Sequence, residues 1–180
     1  PALREELESD AVYFKASDPA CNALDEVIVC YPGFYALLVY RISHQIHHLG
    51  FPLLARLLTE EVHKKVGVDI HPKASIAVPF FMDHATGIVV GQTTTIGKRV
   101  KIYQGVTLGA LSTNVEDPKK KRHPTLEDDV TVYANATILG GNTVIGAGST
   151  IGGNVWLTKS VEKGTKVIVD PNVYQKEILD

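Results

Sequence analysis

The second part of the chain repeats with a period of six residues, which neither an ordinary α-helix nor a β-hairpin produces. An apolar residue leads each unit and a smaller one follows four positions later, as Ala74 follows Ile70. The leading residues are Ile70, Ile76, Met82, Ile88, Val90, Ile96, Ile102, Leu108, Leu126, Val132, Ile138, Ile145, Ile151 and Leu157. A hexapeptide repeat signals a parallel β-helix, in which three short strands and three corners close a triangular coil. Successive coils stack about 4.8 Å apart, and stability comes from that stacking.

A twisted sandwich of short strands is the alternative architecture. Such a fold predicts alternation with period two and turns spaced about 8–12 residues apart. The six-residue register survives three interruptions in this sequence, which favours the β-helix. The repeat itself does not determine the hand of the coil. Strand crossovers in general favour right-handed connections, so a left-handed coil would be an exception.

The first third of the chain has a different composition. Only Gly33 and Gly50 of the 15 glycines precede position 67, whereas ten leucines precede it and six follow. Apolar residues at three- and four-residue steps predict one helix after Pro32 and another after Pro52, and a weaker helix is expected from Ala2 to Phe14. We therefore predict an α+β fold. Its parts are a helical domain at 1–66, a β-helix at 67–170 with an extruded loop at about 110–124, and a C-terminal segment at 171–180.

Charge and hydropathy exclude some functions. The 18 basic and 20 acidic side chains give a net charge of -2, which argues against a nucleic-acid partner. Apolar runs such as 36–40 are far shorter than the ~20 residues that cross a bilayer, so no membrane partner is expected. No leader pattern opens the chain, and two cysteines are too few for a disulfide scaffold. These features predict a cytoplasmic protein.

Polar residues gather at three places in the repeat. The extruded loop ends in a basic run that closes on Arg122, whose planar fork suits a carboxylate. Asp69 and His84, fifteen residues apart, fall on neighbouring coils, where a carboxylate-oriented imidazole would form a general base. A purely structural role at the corners remains open.

His71, His84 and His123 also admit a zinc site with an open fourth position. For His44 and His48, at i and i+4 of a helix, surface histidines are the favoured interpretation.

Several motifs carry a resemblance to a known family. They are Val68-Asp69-Ile70-His71-Pro72, Met82-Asp83-His84-Ala85-Thr86-Gly87-Ile88-Val89-Val90-Gly91, Gln104-Gly105-Val106-Thr107-Leu108-Gly109 and Arg122-His123-Pro124. With Asp18-Pro19-Ala20 and Gly33-Phe34-Tyr35-Ala36-Leu37, they resemble the serine O-acetyltransferases. The resemblance covers most of the chain and is far more specific than the hexapeptide repeat, which many acyltransferases share.

The resemblance implies a left-handed β-helix behind the helical domain, a homotrimer or a dimer of trimers, and acetyl-CoA in the groove between subunits, with no metal. It implies that His84 is the base that takes the serine hydroxyl proton and Asp69 its orienting partner. Arg122 and His123 would hold the substrate carboxylate; Asp83 and Asp18, with Pro19, would receive the amino group. Residues implied to line the CoA groove are Gly109, Ala110, Ala134, Gly152 and Gly153.

The expected reaction is acetyl transfer from acetyl-CoA to L-serine by direct attack of the hydroxyl, which gives O-acetylserine for cysteine synthesis. The resemblance also suggests O-acetylserine sulfhydrylase as a protein partner, since some relatives form a complex with it. Three rival functions stay open at this point: a hexapeptide O-acetyltransferase for a sugar or a xenobiotic, a zinc lyase resembling γ-type carbonic anhydrase, and a non-catalytic scaffold.

Overall fold

The computed structural model describes residues 2–112 and 120–169. The helices in this part of the chain are α1 Ala2–Ser17, α2 Leu24–Cys30, α3 Pro32–His48 and α4 Pro52–Val66. The strands are β1 Asp69–Ile70, β2 Ser75–Ile76, β3 Phe80–Asp83, β4 Val89–Val90, β5 Thr95–Ile96, β6 Val100–Tyr103, β7 Thr107–Gly109, β8 Thr125–Leu126, β9 Thr131–Val132, β10 Thr137–Leu139, β11 Val144–Ile145, β12 Thr150–Ile151, β13 Trp156–Leu157 and β14 Lys166–Val167. The predicted C-terminal segment 171–180 and residues 113–119 of the predicted loop lie outside the described residues.

The strands form the three faces of a triangular prism, and all of their pairings are parallel. Sheet I contains β1, β4, β7, β10 and β13; sheet II contains β2, β5, β8 and β11; sheet III contains β3, β6, β9, β12 and β14. Each coil runs from sheet I to sheet II to sheet III and then returns to sheet I one level further along. The predicted fold class, a helical segment followed by a parallel β-helix of hexapeptide repeats, is confirmed.

The core of the prism is a stack of the leading residues that the repeat predicts. Ile70, Val90, Leu108 and Ile138 follow one another in register along sheet I, and each is at most 3% exposed. The side chain four positions after the leading residue is buried even where it is polar, as at Thr94 and Ser149. Small side chains fit there because they lie near the corners, where the faces of the prism converge.

One corner departs from the predicted pattern. The repeat predicts a buried side chain at Thr86, four positions after the leading residue Met82, but Thr86 is exposed and Ala85 is buried instead. The reason is a backbone in which His84 and Ala85 both have positive φ, 54° and 67°. Two consecutive left-handed residues make a wider corner than the single left-handed residue at Asn135 or Asn154.

The helices pack on the first coil through a buried ion pair. Arg41 of α3 donates from Nε to Asp10 of α1 at 3.0 Å, and Asp10 is fully buried. Arg41 also donates to the carbonyl oxygen of Ala77 at 3.0 Å, while Asp10 accepts the backbone N–H of Phe80 at 3.0 Å. These bonds fix α1 and α3 against the chain between β2 and β3. Breaking such a pair typically costs about 3–5 kcal/mol, because the remaining charge is left buried and unpaired.

The helices differ in detail from the prediction. Helix α1 runs on to Ser17, and the short helix α2 was not predicted, because its seven residues are too few to show a periodic stripe. Helix α4 ends at Gly67, whose φ of 69° is the left-handed conformation that often ends a helix. Within the described residues, no single helix has the length and apolar content to cross a membrane; only α2 and α3 together pass that test, and they are bent by 74°.

Candidate active site

The predicted site residues lie at two edges of the prism, one on either side of sheet I. The III/I edge, where sheet III turns into sheet I, begins with Asp83 and His84 after β3. The I/II edge, where sheet I turns into sheet II, carries His71 after β1 and Arg122–His123 before β8. The III/I edge is acidic and the I/II edge is basic, so a single chain presents two half-sites of opposite charge.

The acidic half-site combines a residue from the helices with residues from the first coil. Asp18 follows α1 and accepts hydrogen bonds from the Tyr31 hydroxyl at 2.5 Å and from the Ala20 backbone N–H at 2.8 Å. Burial raises the pKa of Tyr103, and the charges of Asp83 and, more weakly, Asp18 add to that shift. Asp18 and Asp83 both lie close enough to Tyr103 to affect its pKa, and their role in receiving an amino group stays a prediction.

His84 projects from this edge into solvent. Its side chain is 71% exposed, and its Nδ1 lies 3.8 Å from Oδ1 of Asp83, which also accepts the His84 backbone N–H at 2.9 Å. The left-handed φ of His84 and Ala85 is costly for residues with a Cβ, and strain of this kind is concentrated at functional sites. An exposed imidazole on a strained, hydrogen-bonded corner can reach a ligand that lies along this edge of the prism.

Asp69, the predicted orienting partner of His84, begins β1 on sheet I. Its Oδ1 lies 3.8 Å from Nη1 of Arg56 on α4. Among the described residues, no ion pair within 4.0 Å joins Asp69 to His84. Since Asp69 pairs in register with Val89, it stands beside the corner that carries His84. The His84–Asp69 dyad stays a prediction.

The basic half-site is built around the hydroxyl of Thr93, in the corner between β4 and β5. Thr93 Oγ1 accepts the backbone N–H groups of Arg122 at 2.8 Å and of His123 at 3.1 Å. With both acceptor positions used, its own hydrogen points to Nδ1 of His123, 2.8 Å away. That nitrogen also accepts the Thr93 backbone N–H at 3.1 Å. His123 must therefore carry its ring proton on Nε2, which leaves Nε2–H as the donor available to a substrate carboxylate.

Electrostatics at this edge keep the imidazoles neutral. Burial lowers the pKa of His123 to about 4, and the charges of Arg122 and Lys121 contribute. Burial likewise lowers the pKa of His71 to about 4, with Arg56 the next largest cause. The buried Nε of Arg122 has no hydrogen-bond partner among the described residues. The guanidinium is thus a cation with unused donor capacity, as a carboxylate-binding group requires.

The residues predicted to line the CoA groove divide between the same two edges. Gly109, at the end of β7, and Ala110 lie at the I/II edge, whereas Ala134, Gly152 and Gly153 lie at the III/I edge. A Cβ added at Gly153 would come within 3.2 Å of the Ala134 carbonyl oxygen. The Cβ that Gly153 lacks would thus meet the backbone of this chain, so the glycine permits close packing of successive corners. Both predicted sets of residues therefore flank sheet I.

The zinc interpretation requires His71, His84 and His123 to meet. His71 and His123 share the I/II edge, but His84 lies on the III/I edge, so the three do not converge within one chain. Among the described residues, the group close enough to share a metal ion is Glu60, His63 and Asp69. Arg56 forms ion pairs with both carboxylates of that group, so the positive charge that these carboxylates face is the guanidinium of Arg56.

Three residues of the site were missed by the sequence analysis: Thr93, Tyr31 and Gln104. Thr93 and Tyr31 act through residues 29 and 13 positions away, and sequence spacing holds no signal for such contacts. Asp83 pairs in register with Tyr103. Gln104 follows Tyr103 as His84 follows Asp83, so Gln104 is the counterpart of His84 on the next coil. Its place in the repeat, twenty residues after His84, was a usable signal.

Comparisons with known proteins identify relatives of this chain. No family model matches the chain. The plasmid serine acetyltransferase of Synechococcus elongatus is 49% identical over 170 residues, which are 92% of this chain and 53% of that relative. The serine acetyltransferase of Helicobacter pylori is 46% identical over 123 residues, 68% of this chain and 70% of that relative. The chain thus spans about half the length of the Synechococcus relative.

Solved structures give the same result. A crystal structure of Entamoeba histolytica serine acetyltransferase 1 with L-cysteine matches at TM-score 0.89 and 40% identity, covering 94% of this chain and 64% of that one. Neisseria gonorrhoeae serine acetyltransferase in complex with serine matches at TM-score 0.87 and 34% identity, covering 94% of this chain and 68% of that one. A serine acetyltransferase complex with CoA matches at 0.85 and 34%, covering 93% and 68%.

Fold and site together define a hexapeptide-repeat β-helix protein whose charged half-sites flank one face of the prism. Within that class, the extent of the sequence and structural matches decides the family. The chain belongs to the serine acetyltransferase family.

Proposed function

We propose that this protein transfers the acetyl group of acetyl-CoA to the hydroxyl of L-serine, giving O-acetylserine and CoA. The observation that carries the proposal is the pair of half-sites with opposite charge. A zwitterionic amino acid needs an anionic group for its ammonium and a cationic group for its carboxylate. Asp18 and Asp83 supply the first, while Arg122 and the Nε2–H of His123 supply the second. A neutral sugar hydroxyl would need neither.

The position of the half-sites has a consequence for assembly. They lie on different edges of one chain, so one serine molecule meets both only where the III/I edge of one copy approaches the I/II edge of another. Three copies around a threefold axis would bring these edges together three times, and a homotrimer is therefore part of the proposal. The predicted CoA-lining residues divide in the same way, which supports a cofactor groove at the same junction. Relatives have been solved with serine and with CoA.

His84 is assigned as the general base. The serine hydroxyl gives its proton to the imidazole as its oxygen bonds to the thioester carbonyl carbon. When the resulting tetrahedral adduct collapses, the carbon–sulfur bond breaks and the thiolate of CoA takes that proton from the imidazolium. No acyl-enzyme is needed, because acceptor and donor meet directly. Asp69 is assigned as the group that steadies the charged imidazole, with Arg56 shared between Asp69 and Glu60.

Thiol release from acetyl-CoA tests the proposal, with L-serine, homoserine and a sugar offered in parallel. L-Serine should be the preferred acceptor. His84→Ala should retain the fold and lose about two to four orders of magnitude in turnover, the usual contribution of a general base. His48→Ala, an exposed histidine of α3, is the matched control and should keep wild-type turnover. Unchanged thiol release in His84→Ala would refute the assignment.

A further inference from the structure

Trp156 is the single tryptophan of the chain and the first residue of β13, and its side chain is 68% exposed. Within the described residues, no aromatic ring packs against it. One exposed apolar side chain needs no explanation by itself. The position of this one relative to the active site does.

The strand register places Trp156 in line with the active site. Asp69 pairs with Val89, Val89 with Thr107, Thr107 with Thr137, and Thr137 with Trp156. Four steps of about 4.8 Å put Trp156 about 19 Å from Asp69 on the same outward face of sheet I. The pantetheine arm and pyrophosphate of CoA, when extended, cover a distance of this order between the sulfur and the adenine.

The III/I edge forms a continuous path between His84 and Trp156. Backbone hydrogen bonds join its corners one after another: Gly105 donates to Thr86, Asn135 to Gln104, and Asn154 to Ala134. Gly152 and Gly153 begin the last of these corners, and a Cβ at Gly152 would come within 3.1 Å of the Val167 carbonyl oxygen, so the chain itself packs closely there. In the opposite direction α1, α3 and α4 pack on the first coil, so a long ligand with its sulfur at His84 must extend toward Trp156.

A second observation on this path points to the same ligand. Oε1 of Gln104 is buried and has no hydrogen-bond partner among the described residues. Gln104 is the in-register neighbour of His84 on the next coil. A buried acceptor without a donor is rare in native proteins. The pantetheine arm carries two amide N–H groups, and one passing this point would supply the missing donor.

We propose that the exposed indole of Trp156 is the stacking platform for the adenine ring of acetyl-CoA. The inference rests on the proposed function, since it takes the thioester to lie at His84. A flat aromatic base is the part of CoA that an indole face recognises, because stacking buries apolar area of both rings. Stacking of a base on an aromatic side chain contributes about 10- to 100-fold to binding, as judged by alanine substitution.

The test compares two acetyl donors that share a thioester and differ in the nucleotide. With acetyl-CoA and L-serine, Trp156→Ala should raise the KM for acetyl-CoA about 10- to 100-fold and leave kcat near the wild-type value. With acetyl-pantetheine, which lacks adenine, wild type and variant should have the same KM. Trp156→Phe keeps a flat ring and should recover most of the affinity for acetyl-CoA. Equal changes for both donors, or no change for either, would overturn the proposal.

Fluorescence gives a readout that needs no turnover. CoA should quench the emission of the sole tryptophan in the 180-residue chain, whereas pantetheine at saturation should not. If the wild-type protein fails to acetylate serine, the proposed function fails, and quenching by CoA still decides whether Trp156 contacts adenine. Sedimentation tests whether Trp156 lies in a subunit interface instead. A lower oligomer mass for Trp156→Ala would place the indole in such an interface and overturn the proposal.

Discussion

Replacing Thr93 by valine should loosen the whole basic half-site while preserving side-chain volume. The hydroxyl accepts two backbone N–H groups and donates to Nδ1 of His123, all within 3.1 Å. A hydrogen bond contributes about 1 kcal/mol net, and a buried donor left without a partner costs about 1–3 kcal/mol. Thr93 is half-buried, so water can replace part of what is lost. We therefore expect the free energy of unfolding to fall by about 2–3 kcal/mol.

For a chain of this length, that loss corresponds to a decrease in melting temperature of about 5–10 °C. Thermal unfolding followed by circular dichroism at pH 7.5 measures it directly. The KM for serine should rise about tenfold, because His123 and Arg122 are no longer held in place for the carboxylate. In spectra of ¹⁵N-histidine-labelled protein, the wild-type ring of His123 should be the Nε2–H tautomer, and the variant should show a mixture.

Thr95→Val is the matched control. Thr95 lies two residues away on the same chain segment and is exposed, and its hydroxyl accepts one bond, from Nζ of Lys121 at 3.2 Å. Its loss should change the free energy of unfolding by about 0.5 kcal/mol or less and leave the serine KM unaltered. Equal melting temperatures and equal serine KM for Thr93→Val and wild type would show that the hydroxyl does not organise this edge.

Three further predictions concern both half-sites. Tyr31→Phe removes the 2.5 Å bond to Asp18 and should raise the serine KM about fivefold with kcat preserved; kinetics with homoserine as second acceptor check this, and a change confined to kcat would contradict it. Gly91→Ala should displace the imidazole of His123, since a Cβ there would overlap the ring, and a crystal structure showing the ring unmoved would disprove this. Stability should also depend on pH. The folded pKa of His123 is about 4 against 6.5 when unfolded, so its contribution is complete above pH 6.5 and is lost toward pH 4. Urea titration measures the free energy of unfolding at each pH. Between pH 7 and pH 5, this free energy should fall by about 2 kcal/mol less for His123→Gln than for wild type, and equal decreases would refute the lowered pKa of His123.

The repeat made the β-helix predictable because burial in a solenoid is periodic. The leading residue of each unit faces the prism axis, so Ile96 and Leu126 identify the inward face without any long-range information. Thr86 broke the rule, since backbone conformation at a corner depends on its hydrogen bonds and not on hydropathy. Helix α2 was missed because seven residues complete only two turns.

Family resemblance named candidate site residues whose roles stay predictions, and their arrangement in space did not follow from the sequence. Spacing placed Asp69 and His84 on neighbouring coils and could not show that Arg56 would pair with the aspartate. The extruded loop hid which corner His123 would occupy, and only the contact with Thr93 fixes it. The separation of the two half-sites across sheet I follows from the order of faces in the coil, which the period of six does not specify.

The buried pair of Asp10 and Arg41 bears on acceptor selectivity under the proposed function. In that proposal, the solenoid carries His84, the imidazole assigned to activate the hydroxyl. The carboxylate of Asp18 belongs instead to the segment after α1, which the buried pair fastens to the first coil. Under these assignments, a solenoid without the docked helices would keep the assigned base and lose Asp18, one of the two carboxylates assigned to the ammonium group of the substrate.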